Sequence, residues 1–171
     1  MSFESPFPQV HIPTTSLYDY LFGDVTAEDA DRIALVDTGA GTETTYRDMI
    51  ASIDAFAGAL ARRGVGVGDV VGLLAPNSAA FAIAFHGILR SGATATTINA
   101  LFTGKDVAKQ LTDSRASFLV TVTPLLPAAL EAAAAVGLSE DRIAVLEGPA
   151  KKQAGTRTPA ISWVQHILLR T

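Results

Sequence analysis

Residues 64–78 read Gly-Val-Gly-Val-Gly-Asp-Val-Val-Gly-Leu-Leu-Ala-Pro-Asn-Ser, and this stretch indicates how the surrounding chain folds. Its first glycines suit a turn. The apolar run at 70–74 is typical of a strand that is buried on both faces of a parallel sheet. Ser78 can then cap a helix, because its hydroxyl can accept a hydrogen bond from an N–H of the first turn. The stretch therefore predicts a turn, a buried strand and a helix in succession.

The same alternation of helix and strand continues along the chain. The patterns predict helices at 45–64, 78–89, 105–113 and 124–136, and strands at 70–74, 93–98, 117–122 and 143–146. Parallel neighbours in a sheet need crossover connections, which helices supply. The predicted fold class is therefore α/β, with a mainly parallel sheet flanked by helices on both faces.

A smaller element precedes this sheet. Residues 33–37 are mostly apolar, two glycines lie within 38–42, and 43–45 return as a second strand, so an N-terminal β-hairpin is predicted. Ser16 caps a short helix that ends at Phe22. The predicted organisation is an extended, proline-containing arm at 1–15, an α/β subdomain at 16–146, and a loop with a short helix at 147–171.

Composition excludes several classes of protein. The 171 residues are 49% hydrophobic and 18% charged, as expected for one folded domain. The net charge of −4 and the scattered Lys and Arg residues argue against a nucleic-acid partner. Cysteine is absent, which excludes disulfides and thiolate chemistry. The first residues do not resemble a secretory signal and no apolar run is long enough to span a bilayer, so we expect a cytoplasmic protein.

Three glycine-containing segments invite a nucleotide-binding interpretation. Residues 64–69 leave a helix and enter a strand, which reverses the order of the dinucleotide fingerprint. Residues 103–105 contain only a fragment of a Walker loop, so both segments are predicted to be turns. Residues 38–45 follow a strand and precede a helix, and could hold a flavin phosphate, although Glu43 would repel it. A hairpin is favoured there, and a small flavin- or nucleotide-binding module stays as an alternative.

The histidines predict no metal site. His11, His86 and His166 each lack a second His, Asp or Glu at the helical spacing of a metal pair. His86 lies among apolar residues, which favours a hydrogen-bonded structural histidine over a catalytic base. Ser78, Asp69 and His86 can be drawn as a triad, but no pattern supports one. The residues themselves therefore predict no catalytic, cofactor-binding or metal-binding side chain.

A family resemblance adds to this interpretation. The segments 45–49 and 63–77 resemble adenylate-forming enzymes, with a Thr-Tyr helix start, a Gly-Val-x-x-Gly-Asp turn, an apolar strand and a Pro-Asn-Ser cap. The sequence Gly-Ala-x-x-Thr-Thr-x-Asn at 92–99 is most similar to 4-coumarate CoA ligases and fatty acyl-CoA ligases. The resemblance covers about residues 17–123. It departs at Ala100, where the family often has proline.

The resemblance implies that the chain is an N-terminal part of the large N-terminal domain of an AMP-forming acyl- or aryl-CoA synthetase. Such a parent would use ATP, magnesium, CoA and a carboxylic acid. The family's Ser-Gly-Thr-Thr-Gly-x-Pro-Lys-Gly loop, its Tyr-Gly-x-Thr-Glu element and its C-terminal lysine have no counterpart in this sequence. We therefore expect this piece to be an inactive scaffold that holds no cofactor.

Two further expectations concern interactions. The apolar residues Trp163, Val164, Ile167 and Leu168 would pack on chain that is not present here, so we expect the piece to self-associate. A non-catalytic interaction protein that keeps the family's scaffold is a second alternative to the ligase.

Overall fold

A computed structural model of the chain describes residues 6–146, and all structural statements below refer to that part. The predicted loop and helix within 147–171 lie outside the described residues. The helices and strands are α1 Leu17–Phe22, β1 Ile33–Asp37, β2 Thr42–Thr45, α2 Tyr46–Ala61, β3 Val70–Leu74, α3 Ala79–Arg90, β4 Thr94–Ile98, α4 Gly104–Ser114, β5 Phe118–Val122, α5 Leu126–Val136 and β6 Ile143–Leu146.

The main sheet has four parallel strands in the order β4-β3-β5-β6. The chain enters at β3, moves outward to β4, crosses back to β5 and continues to β6. Each connection contains a helix, as parallel pairing requires. The predicted parallel sheet is therefore confirmed.

Helices cover both faces of this sheet, as predicted. Val71 and Leu73 of β3 join the cluster beneath α2 and α3, whereas Leu74 joins the cluster beneath α4 and α5. This alternation follows from the period of two in a strand. All three side chains are fully buried. The continuous apolar run at 70–74 thus reflects a strand with a hydrophobic core on each side.

Two glycines allow close packing of these layers. A Cβ built on Gly72 would lie 2.9 Å from a methyl carbon of Leu111, so α4 rests directly against the middle of β3. A Cβ on Gly87 would lie 2.6 Å from a ring carbon of Phe56, which is where α2 and α3 are in close contact. Larger side chains at either position would force the helices outward.

The hairpin and α1 form a smaller unit beside α2 and α3. Strands β1 and β2 pair antiparallel, with a register shift between Ile33 and Leu35, and the predicted hairpin is confirmed. Tyr18 of α1 packs with Met49, Ile53 and Ile83 in a separate buried cluster. An isolated hairpin is marginally stable in water, so contacts with these helices stabilise it.

Helix starts agree with the predicted caps at three positions. The hydroxyls of Ser16, Thr45 and Ser78 accept hydrogen bonds from Asp19, Asp48 and Phe81 N–H groups, respectively. The predicted start of α5 is wrong by two residues. Thr123–Leu125 is a 3₁₀ turn and the α-helix begins at Leu126.

Candidate functional site

A crevice opens at the carboxyl edge of the parallel sheet, between β3 and β4. The chain leaves β3 toward the face that carries α3, whereas it leaves β4 toward the opposite face, which carries α4. Such a divergence leaves a gap above the strand ends, and ligands of open α/β sheets bind in gaps of this kind. The cavity has a volume of about 450 Å³ and is lined by residues 75–77, 97–100 and Phe81.

The lining of this crevice carries no charged side chain. Asn77 and Asn99 supply amides, Thr97 supplies a hydroxyl, and Phe81 supplies an aromatic surface. The Asn99 side-chain oxygen accepts the Leu101 N–H at 2.9 Å, which fixes the loop after β4. A polyphosphate needs cations or a cluster of N–H donors, so these walls suit an uncharged group.

The amino terminus of α3, beside the crevice, already holds an anion. The Asp37 carboxylate accepts the Ala79 N–H at 3.4 Å and the Ala40 N–H at 2.9 Å. The N–H groups of Ala40, Ala79 and Gly39 hold the pKa of Asp37 below its usual value. The helix terminus that could bind phosphate is thus closed by a carboxylate from the hairpin.

That same carboxylate occupies one of the N–H donors on which the flavin-phosphate interpretation of residues 38–45 depends. The segment is the turn and second strand of an antiparallel hairpin. Its Ala40 N–H donates to Asp37, so the turn does not offer this donor to a phosphate. The predicted hairpin is therefore confirmed for this segment.

Of the other two glycine-containing segments, residues 64–69 form the predicted turn, whereas residues 103–105 are the cap and the start of α4, which begins one residue earlier than predicted. Gly64 and Gly68 have φ values of 74° and 94°, which other residues rarely adopt, and they connect α2 to β3. The Thr103 side chain and Asp106 form a reciprocal capping box at the start of α4. Each segment therefore has a local structural role.

The drawn triad of Asp69, Ser78 and His86 is not assembled. Asp69 precedes β3 and Ser78 follows it, and a five-residue strand separates them by about 16 Å. Asp69 accepts the Gly66 N–H at 2.9 Å and the Ser117 hydroxyl at 3.1 Å. Ser78 caps α3. These bonds give both residues structural roles.

His86 differs from its predicted environment. Its Nδ1 is buried and has no hydrogen-bond partner within residues 6–146, so the expectation of a hydrogen bond is wrong for this atom. The ring instead packs edge-to-face with Phe22 and Phe85 at centroid distances of 5.3 and 5.4 Å. The sequence pattern predicted that His86 lies among apolar residues, but it could not predict the contact with Phe22 of α1.

No group of three or more His, Cys, Asp or Glu side chains within residues 6–146 could hold a metal ion. Among the described helices, none is both long and apolar enough to cross a membrane.

Sequence reasoning named no residue of the crevice as a site, although a signal was present. Asn77 and Asn99 each follow a predicted strand within a few residues, and the carboxyl ends of parallel strands meet at one edge of a sheet. What the sequence does not reveal is that β3 and β4 are neighbours. Only the strand order places the two amides at the same crevice.

This fold corresponds to part of the N-terminal domain of adenylate-forming CoA ligases. The chain superposes on the anthranilate CoA ligase AuaEII in complex with anthranoyl-AMP with a TM-score of 0.73 and 25% identity, covering 90% of this chain and 28% of that one. It superposes on apo MatB from Rhodopseudomonas palustris with a TM-score of 0.68 and 22% identity, covering 88% and 28%. The second likeness shows the fold alone.

The chain belongs to the family described as AMP-binding enzyme, whose family model matches residues 22–165. It is 34% identical over 123 residues to 4-coumarate--CoA ligase 4 of Arabidopsis thaliana and 39% identical over 120 residues to 4-coumarate--CoA ligase 5 of Oryza sativa subsp. japonica. Each match covers 70% of this chain and 22% of the relative. The resemblance to this family is therefore confirmed, and the chain spans about a fifth of these relatives' length.

Proposed function

We propose that the whole protein carrying this segment is an ATP-dependent, AMP-forming carboxylic acid–CoA ligase. An oxygen of the substrate carboxylate attacks the α-phosphorus of ATP and releases pyrophosphate. The CoA sulfur then attacks the acyl carbon and releases AMP. Magnesium would neutralise the phosphate charge in the first step. The family match over residues 22–165 carries this proposal.

The substrate is proposed to be an aryl or fatty acid. Support comes from the names of the relatives, which include 4-coumarate--CoA ligases and an acetyl-coenzyme A synthetase of Burkholderia lata. The test is acid-dependent exchange of pyrophosphate into ATP by the whole protein, with 4-coumarate, benzoate, acetate and a series of fatty acids. Exchange with none of these acids would overturn the proposal and would favour the non-catalytic interaction protein.

The 171-residue chain by itself is proposed to be a scaffold without turnover. Its crevice walls carry no charged side chain, and the α3 terminus is occupied by Asp37. The measurement is AMP release by the purified chain with ATP, magnesium, CoA and the best acid of the whole protein. AMP release above a blank without protein would contradict this proposal.

We further propose that the crevice contacts an uncharged part of a substrate in the whole protein. Its place at the carboxyl edge and its amide-lined walls support this role. In the whole protein, Asn99→Ala should raise KM for one substrate while leaving the others unchanged. A change in kcat alone, with every KM unchanged, would argue against a binding role.

The whole protein is also proposed to be cytoplasmic. One relative is named Peroxisomal OPC-8:0-CoA ligase 1, so a fluorescent fusion should be scored for both compartments.

The 171-residue chain is proposed to self-associate. The residues that support this proposal, Trp163 among them, lie outside the described part. Light scattering across a concentration series tests it, since a constant monomeric mass would contradict it.

A further inference from the structure

A series of contacts between aromatic and cationic side chains attaches α1 to α3. The Arg90 guanidinium carbon lies 4.3 Å from the centre of the Tyr18 ring. Tyr18 lies 5.4 Å from Phe22, and Phe22 meets the edge of His86 at 5.3 Å with the ring planes 87° apart. Phe85 also contacts the His86 ring, at a centroid distance of 5.4 Å and with the ring planes 80° apart. The contact between Phe22 and His86 therefore joins the last residue of α1 to α3.

The surroundings of His86 favour a neutral ring. Its buried Nδ1 has no hydrogen-bond partner in the described part of the chain. Burial lowers the pKa of His86 below its ordinary value of 6.5, and burial is the sole cause of this shift. A proton on this half-buried ring would place a charge beside two phenyl groups, which deprive it of part of its hydration.

Several titratable and charged groups lie on the elements around His86. They are Tyr18, Asp19 and Tyr20 on α1, Asp37 on β1, Tyr46, Arg47, Asp48 and Asp54 on α2, and Arg90 on α3. Asp54 accepts hydrogen bonds from Tyr18 at 3.0 Å and from Arg90 at 3.1 Å. Asp19 accepts the Ser16 hydroxyl at 2.7 Å. No ion pair within residues 6–146 joins any of them to His86.

We propose that His86 is an acid-sensitive latch for the N-terminal segment. With the ring neutral, Phe22 stays against α3 and α1 covers the cluster of Met49, Ile53 and Ile83. Protonation draws water toward the ring and releases α1 together with the exposed arm that precedes it. Release is local because α1 has only six residues, and Tyr18 is its one buried residue.

The direction of the pH dependence follows from linkage. Undocked His86 titrates near 6.5, whereas the docked ring binds its proton less readily. Docking of α1 is therefore fully stable above about pH 6.5 and weakens as the pH falls below that value. Carboxylates titrate lower, so a change between about pH 7.5 and about pH 5 reports on the histidine.

Hydrogen exchange of the 171-residue chain tests the latch, with rates corrected for the pH dependence of intrinsic exchange. Between about pH 7.5 and about pH 5, protection of Leu17–Phe22 should fall by roughly threefold or more, while protection of α2 stays constant. In His86→Leu, protection of α1 should be independent of pH over this range. His11→Gln, a change in the exposed arm, should respond as the unmodified chain does.

Three results would overturn the latch. One is unchanged protection of α1 in the unmodified chain, and another is the same loss of protection in His86→Leu. Equal loss in α1 and α2 would show global unfolding instead. Should His86→Leu fail to fold, an NMR titration of the His86 ring in the unmodified chain decides, because a pKa at or above about 6.5 contradicts the proposal.

Discussion

The two edges of the parallel sheet differ in how their polar groups are used. At the amino edge, Asp69 accepts hydrogen bonds from Gly66 and Ser117, which ties the turn before β3 to the start of β5. At the carboxyl edge, Asn77 and Asn99 are exposed beside the crevice. The polar groups of the amino edge therefore stabilise the fold, whereas the two amides of the carboxyl edge are open to solvent. This division is the one expected of α/β sheets.

The largest effect should come from β3, which separates the two edges. Leu73 is fully buried, and Leu73→Ala should lower the free energy of unfolding by about 3 kcal/mol because it leaves a cavity beneath α2 and α3. Urea denaturation measures the change. Val67→Ala, at a side chain that is 92% exposed, is the control and should leave stability nearly unchanged. Equal effects of the two substitutions would contradict the assigned core.

Substitutions of polar residues at the amino edge should lower the free energy of unfolding more than those at the carboxyl edge. Asp69→Ala removes both of its hydrogen bonds and should lower the free energy of unfolding by about 2 kcal/mol. Ser117→Ala removes only one of them and should cost about half as much. If Asp69→Ala left the unfolding midpoint unchanged, the structural role of this edge would be disproved.

One buried contact at the carboxyl edge also stabilises the sheet. The Thr121 hydroxyl donates to the Leu74 carbonyl at 3.0 Å, and Thr121 is fully buried. Thr121→Val keeps the shape and removes the donor, so it should cost about 1 kcal/mol. Thr94→Val, at an exposed position on β4, serves as the control in the same denaturation experiment. A stabilised Thr121→Val variant would contradict the assigned bond.

The smallest effect on stability should be that of Asn99→Ala. This change removes a single hydrogen bond in an exposed loop and should alter the free energy of unfolding by about 0.5 kcal/mol or less. If Asn99→Ala lowered the free energy of unfolding as much as Asp69→Ala, the proposed difference between the two edges would be wrong. A small decrease in this free energy together with a raised KM in the whole protein would support that difference.

Local features of the fold could be predicted from the sequence. The predicted hairpin, the four parallel strands and their helices are all present, and Ser16, Thr45 and Ser78 cap helices as expected. Such features depend on residues within a few positions of one another, because a cap contacts its own first turn and a buried strand shows a continuous apolar run. The family resemblance also depended on ordered local motifs.

The tertiary structure alone decided which distant groups meet. The strand order brings Asn77 and Asn99 to one crevice, and Asp37 closes a helix terminus that lies 42 residues further along the chain. Phe22 of α1 packs against the His86 ring, and Nδ1 of that ring lacks the expected hydrogen bond within residues 6–146. The same alternation of strands and helices is compatible with other strand orders. Packing of both sheet faces selects one of them, and that choice positions the candidate site.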